Sequence, residues 1–326
     1  MSRKRERRRG GQHGEGKQPG PNDTPLARHK DDLPLYEEYR KACCSLTRAQ
    51  LPNVGLVFDR LSYVALSKVH SQDADSRGRR KEVSDHHDFL ETVKTFYAFD
   101  EDANPEDPRP KALQEVLSRQ DKLLEALARY RKGAFSTQWR FVSGLGKSHC
   151  LETGFTWDRN LGVPYLPGSS VKGIARAWAQ LQAATASDAE MTDKIARIFG
   201  PERTSQKPGS QSQGAVEDRA GTVIFFAAYP ESWPVLEIDV MNPHYGEYYR
   251  DPSIPPGDWL SPNPIFFLTV APGTRFRFAI ALRPSAPTDA EKDLDAAWEW
   301  LREGLQWLGA GAKTAVGYGY FSSASK

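Results

Sequence analysis

The 326 residues carry 44 Lys and Arg against 42 Asp and Glu, a formal net charge of +2, with 39% hydrophobic and 11% aromatic residues. This is ordinary for a soluble globular chain of about two domains, or of one large domain with insertions. No apolar run approaches the roughly 20 residues that a bilayer span requires, which excludes a transmembrane helix.

Residues 1–30 hold nine basic and three acidic side chains, so the remainder of the chain is acidic by four. Nucleic-acid binding by the folded body therefore has to come from local patches. The basic start lacks an apolar h-region and is no secretory signal; it reads as a disordered, solvated tail. Cys43, Cys44 and Cys150 form no CxxC pair and no disulfide framework, which fits a reducing cytoplasm.

A helix is expected over 35–49, a mobile charged loop over 71–85 and a linker over 100–110. Leu113, Val116, Leu117, Leu123, Leu124, Leu127 and Tyr130 recur at helical spacing, predicting a helix over 111–132 that Gly133 stops. Beyond it, strands are expected at 138–143, 222–229, 274–282 and 316–322, with helices at 170–184, 188–199 and 289–308. The loop 201–221 is polar. Short, proline-rich runs over 235–270 read as an inserted hairpin or arm, with strands at 235–240 and 264–270. Without the insertions the order is βαββαβ, an α+β, ferredoxin-like (RRM-like) core with an antiparallel sheet. The division is a basic tail at 1–30, a mostly helical N-terminal region at 31–137 and the core at 138–326, with insertions at 185–220 and 235–270.

Several stretches carry candidate chemistry. Ser169 and Ser170 open a helix in which Ser170 suits the N-cap, leaving backbone N–H groups to face an anion. Lys172 and Arg176, four residues apart, put two cations on one helical face. GLGKS at 144–148 has the end of a phosphate-binding loop, but Phe141 stands where that motif needs Gly. The cluster GAGAKTAVGYGYF at 309–321 follows a helix and precedes a strand, the reverse of a dinucleotide fingerprint. It serves either close approach of backbone to a ligand or neighbouring chain, or a tight turn. His149, beside Lys147, allows general acid/base chemistry in RNA cleavage or an ordinary hydrogen-bonding role. His86, His87 and His244 have no partner at zinc spacing, and no metal or cofactor is expected. Tyr245, Tyr248 and Tyr249 suit either base stacking or a packed turn. Asp239, Asp251, Asp258 and Glu152 show no spacing that pairs them.

GLG at 144–146, ETG at 152–154, GVPYLPGSSVKG at 162–173 and LGAGAKTAVGYGYF at 308–321 together resemble the RAMP superfamily of CRISPR effector complexes. Within it, NVGL at 53–56, Asp59-Arg60 and DVMNPHY at 239–245 with Tyr248-Tyr249 resemble the sixth-subunit family of the type III-B (Cmr) complex. The resemblance implies a ferredoxin-like core and a non-catalytic, cytoplasmic subunit near the 3′ end of the CRISPR RNA. Its implied partners are CRISPR RNA and target RNA, the repeated backbone subunit, a neighbouring RAMP subunit and the small subunit, with no membrane. Lys147, His149, Ser169, Ser170, Lys172, Arg176, Gly309, Gly311, Lys313 and Thr314 are the expected RNA contacts. The alternatives are a metal-independent CRISPR-repeat endoribonuclease using His149, and a protein-only assembly adaptor.

Overall fold

The stretch RFRFAIAL at 275–282 sets the architecture because it serves two faces at once. Phe276, Phe278, Ile280 and Leu282 enter the main core, while the alternate Ala279 and Ala281 leave room for Leu124 on the opposite face. The computed structural model describes residues 53–56, 58–59, 78–99, 105–149, 152–186, 189–201, 220–251, 253–260 and 262–323. All of them lie in a unit spanning Thr47–Lys326.

After a helical turn at Val54–Leu56 come α1 (Gly78–Tyr97), α2 (Pro108–Leu127) and β1 (Tyr130–Thr137). Then follow α3 (Gly168–Ala186), α4 (Ala189–Phe199), β2 (Val223–Phe225), β3 (Tyr229–Pro230), β4 (Leu236–Met241) and α5 (Gly246–Arg250). The chain continues through β5 (Ile265–Val270), β6 (Arg275–Leu282), α6 (Glu291–Trp307), a 3-10 turn (Thr314–Val316) and β7 (Phe321–Ser323).

The main sheet runs β2-β6-β1-β7, with β3 also on β6, and every pairing is antiparallel. Tyr130 faces Ala281 at one end of the central pair and Ser136 faces Arg275 at the other. α3 and α6 supply Val171, Ala175, Ala179, Leu294, Ala297, Leu301 and Leu305 to the core on one side. They pack antiparallel: Gly304 lets Ile174 approach, since a Cβ there would lie 2.9 Å from the Ile174 methyl, and Trp300 donates from Nε1 to Gln182 Oε1 at 3.1 Å. α2 lies on the other side, fixed by Arg277–Asp121 and Lys132–Asp121 ion pairs, both 2.8 Å. β4 and β5 form the inserted hairpin, a separate two-stranded sheet against which α1 packs.

The helix expected through Lys132 ends at Leu127, and the strand expected at 138–143 lies at 130–137 instead. Ala128 takes the positive-φ position (φ 62) that closes α2, and its N–H bonds back to Leu124 and Glu125. Gly133, which looks like a helix stop, lies within β1, where a Cβ would come 3.0 Å from the Trp298 ring. Residues 138–143 carry a lone bridge, Phe141 to Val270, which ties the hairpin to the body. The helix α1 starts at Gly78, inside the expected loop 71–85, and α2 starts at Pro108, capped by Asp107, inside the expected linker. The strand expected over 222–229 divides because Ala228 pairs with Leu166. The last strand is cut to three residues by the 3-10 turn before it. The expected helix at 35–49, the tail and most of 201–221 lie outside the described residues.

Candidate nucleic-acid interface

The path into α3 is built from polar anchors. Asn53 donates to the Arg159 carbonyl (2.7 Å) and accepts from Leu56 N–H, and it packs where Gly162, at φ +63, has no side chain. The Asp158 carboxylate accepts from Asn160 and Leu161 N–H, each at 2.9 Å, and from the Tyr229 hydroxyl at 2.8 Å. Burial, then this hydrogen bond, raises the Tyr229 hydroxyl well above its ordinary value. Tyr165 stacks on Tyr229 at 5.5 Å, and the Leu166–Ala228 bridge sets the helix start against the sheet. α3 begins at Gly168, two residues before the expected cap. Ser170 lies inside the first turn, its N–H on the Pro167 carbonyl at 2.9 Å, and Ser169 is exposed. Gly168 is required here because a Cβ would lie 2.5 Å from the Phe225 carbonyl oxygen.

Lys172 and Arg176 share one half-exposed face of α3. Burial lowers the Lys172 ammonium from its ordinary range, and Arg176 and Arg283, just past β6, push it the same way. Three cations are thus grouped near the start of α3.

The glycine-rich loop is closed onto the segment after β1. Ala312 N–H donates to the Val142 carbonyl at 2.8 Å, and Gly319 N–H to that of Arg140 at 2.9 Å. Gly311 sits at φ +84, where a Cβ would come 2.1 Å from the Val142 oxygen. The close approach read in the sequence is therefore to a neighbouring stretch of this chain. Gly309 is buried against the Thr314 methyl, and Lys313, itself at φ 60, holds its ammonium over Phe267 (5.6 Å) and Tyr318 (5.7 Å). Ala315, Val316 and Gly317 face outward.

Lys147 is exposed in the turn that begins at Gly144, whose φ is +81. His149 stacks flat on Phe58, with centroids 4.2 Å apart, and its Nε2 lies 2.9 Å from the Phe58 carbonyl oxygen. Antiparallel packing of α3 and α6 puts the glycine-rich loop, which leaves the end of α6, at the end where α3 begins. Lys172 and Arg176 neighbour Arg283, Lys313 lies over Phe267 and Tyr318 on the glycine-rich loop, and Lys147 and His149 stand on the Gly144 turn.

Sequence reasoning missed the network beneath the loop. Arg140 donates to Asp239 (2.8 Å) and Glu237 (2.5 Å), and Tyr318 donates to the same Asp239. Burial works to raise the Asp239 carboxyl, but hydrogen bonds from Tyr318 and Val240 N–H and the Arg140 charge outweigh it and hold it below its usual range. Burial and Asp239 push the Tyr318 hydroxyl up to about 12. The missed signal was Glu-x-Asp at 237–239, which places two carboxylates on one face of a strand. Among the described residues no group of three or more His, Cys, Asp or Glu is placed to hold a metal ion, and no helix is long and apolar enough to cross a membrane.

The chain is 35% identical over 230 residues to the CRISPR system Cmr subunit Cmr6 of Pyrococcus furiosus, covering 57% of this chain and 66% of that protein. It is 29% identical over 183 residues to the Cmr6 subunit of Saccharolobus solfataricus, covering 55% and 51%. The chain thus spans from about half to just under two thirds of these relatives' lengths. A chain in the cryo-EM structure of the type III-B Cmr-beta complex bound to cognate target RNA shares the fold, with a TM-score of 0.56 at 21% identity over 92% of this chain and 97% of that one. The RAMP superfamily model matches residues 132–322, from within β1 to the middle of β7. With both glycine signatures and the whole main sheet falling within or overlapping that match, the chain belongs to the RAMP superfamily.

Proposed function

We propose that the chain is a non-catalytic, RNA-binding structural subunit of a type III-B CRISPR ribonucleoprotein, built on a ferredoxin-like (RRM-like) core. Support for the core is the order β1, α3 with α4, β2, β6, α6, β7 and the antiparallel sheet β2-β6-β1-β7, the strand order that a split βαβ unit calls for. Support for the assembly is the similarity to two proteins named as Cmr6. In this reading the protein contacts guide RNA near its 3′ end and supports target RNA binding in antiviral defence. Its neighbours are the repeated backbone subunit, a second RAMP subunit and the small subunit, in the cytoplasm.

Support for RNA binding is the group of cations Lys172, Arg176 and Arg283 near the start of α3. Ser169 and Ser170 in the first turn of α3, with Lys313 and Thr314 on the glycine-rich loop, add charge and polar groups for phosphates; Gly309 and Gly311 shape the loop. Lys147 and His149 extend the surface on the Gly144 turn. Such contacts hold a strand without reading its bases. Binding of a labelled single-stranded RNA measured across salt concentrations tests this. Replacing Lys172 and Lys313 together by Ala is expected to weaken binding and flatten the log–log salt dependence by about one to two units. Unchanged affinity and slope would favour the protein-only adaptor. The isolated chain is expected to leave CRISPR-repeat RNA uncut, since His149 is committed to Phe58 through both its ring face and Nε2; cleavage abolished by His149→Ala would overturn the non-catalytic reading.

A further inference from the structure

Trp139, two residues past the end of β1 and next to the exposed Gln138, is itself 48% exposed. The Arg140 guanidinium lies over its ring, 5.0 Å from the centroid. That guanidinium cannot swing away freely, because Glu237 and Asp239 hold two of its nitrogens. One face of the indole is therefore backed by a clamped, planar cation, and the ring is presented to solvent in a fixed pose.

The same network reaches Lys313. Asp239 accepts from both Arg140 and Tyr318, and Tyr318 lies under the Lys313 ammonium. The backbone repeats the link: Gly319 N–H bonds to the Arg140 carbonyl, and Gln138 N–H to that of Tyr320, on either side of Trp139. A flat aromatic surface and a loop cation are thus parts of one rigid unit. Nucleotides present the complementary pair, a planar base and a charged phosphate, and stacking tolerates any base sequence because every base has a π-face. An ordinary surface tryptophan would have neither the clamped backing nor the linked cation.

We infer that Trp139 is a base-stacking platform for single-stranded RNA, backed by Arg140 as a positioning residue; this rests on the RNA-binding reading above. Phosphate contacts give affinity that falls with salt, whereas stacking adds affinity that salt hardly changes. The two contributions are therefore separable in one titration.

The test uses the full chain, a labelled single-stranded RNA of about 20 nucleotides and a matched oligomer of abasic ribose phosphates. Trp139→Ala is expected to weaken RNA binding roughly tenfold at every salt concentration, with the salt slope unchanged. Trp139→Phe should recover most of that loss, and neither variant should alter binding of the abasic oligomer. If Trp139→Ala binds RNA as the parent does, the platform is overturned while the RNA-binding reading stands. If the parent binds no RNA, both fall. Equal loss on RNA and on the abasic oligomer would mark a general surface effect and overturn the platform. So would intact RNA binding together with failure to co-purify with other effector subunits, which would make Trp139 a protein contact. Should Trp139→Ala not fold, the parent's preference for RNA over the abasic oligomer and its retention by Trp139→Phe decide the matter.

Discussion

Asp239 is held ionised by three donors, so its removal should be felt in stability. Asp239→Asn leaves Arg140 with a weakened partner and is expected to destabilise the fold by about 2 kcal/mol at neutral pH. The pH dependence has a definite sign. A carboxyl whose folded value is depressed stabilises the fold fully above its unfolded value, near 4, and loses that contribution as pH falls through the folded value. Urea unfolding of parent and variant should therefore differ most above pH 5 and converge in acid; a gap that widened below pH 4 would contradict this assignment. The glycines offer a cleaner contrast. Gly311→Ala forces a Cβ against the Val142 oxygen at a strained φ and should cost at least about 2 kcal/mol. A Cβ at Gly146 meets nothing within 4 Å, so Gly146→Ala should change the melting midpoint little. Sequence spacing marked both as glycines of interest, and only the neighbouring backbone separates them.

Elements were legible where one residue pattern had one cause. The helical spacing of Leu294, Ala297, Leu301 and Leu305 located α6 to within two residues, and the Ala271-Pro272-Gly273 turn located the start of β6 to within one. The α2–β1 boundary misled because two residues occupy each other's usual roles. Ala128 holds a positive φ that glycine normally takes, and Gly133 sits inside a strand to make room for Trp298 from the facing helix. Ala128→Gly is accordingly expected to stabilise the fold by about 1 kcal/mol, read as a raised urea midpoint with unchanged m-value. A drop in midpoint would mean that the positive φ is not a source of strain. The same logic explains the divided strand at 222–229. Ladder pairing with β6 gives way where Ala228 takes Leu166 as its partner, a contact between segments 62 residues apart that local pattern cannot announce.

At the scale of the whole molecule, the order of the two glycine signatures was readable, and the packing of the second on residues 140–142 was not. The Glu237–Arg140–Asp239–Tyr318 network joins the hairpin, the segment after β1 and the loop before β7, three stretches widely separated in the chain. α2 bears on the manner of recognition. In RRM proteins, RNA bases spread across the uncovered side of a four-stranded sheet. Here Leu124 fills that side over Ala279 and Ala281, with Asp121 pinned to Arg277 beside it. On the RNA-binding reading proposed above, α2 roofs over the ground that RRM proteins offer to bases, and leaves the rim, with its loops and helix ends, as the surface open to a strand.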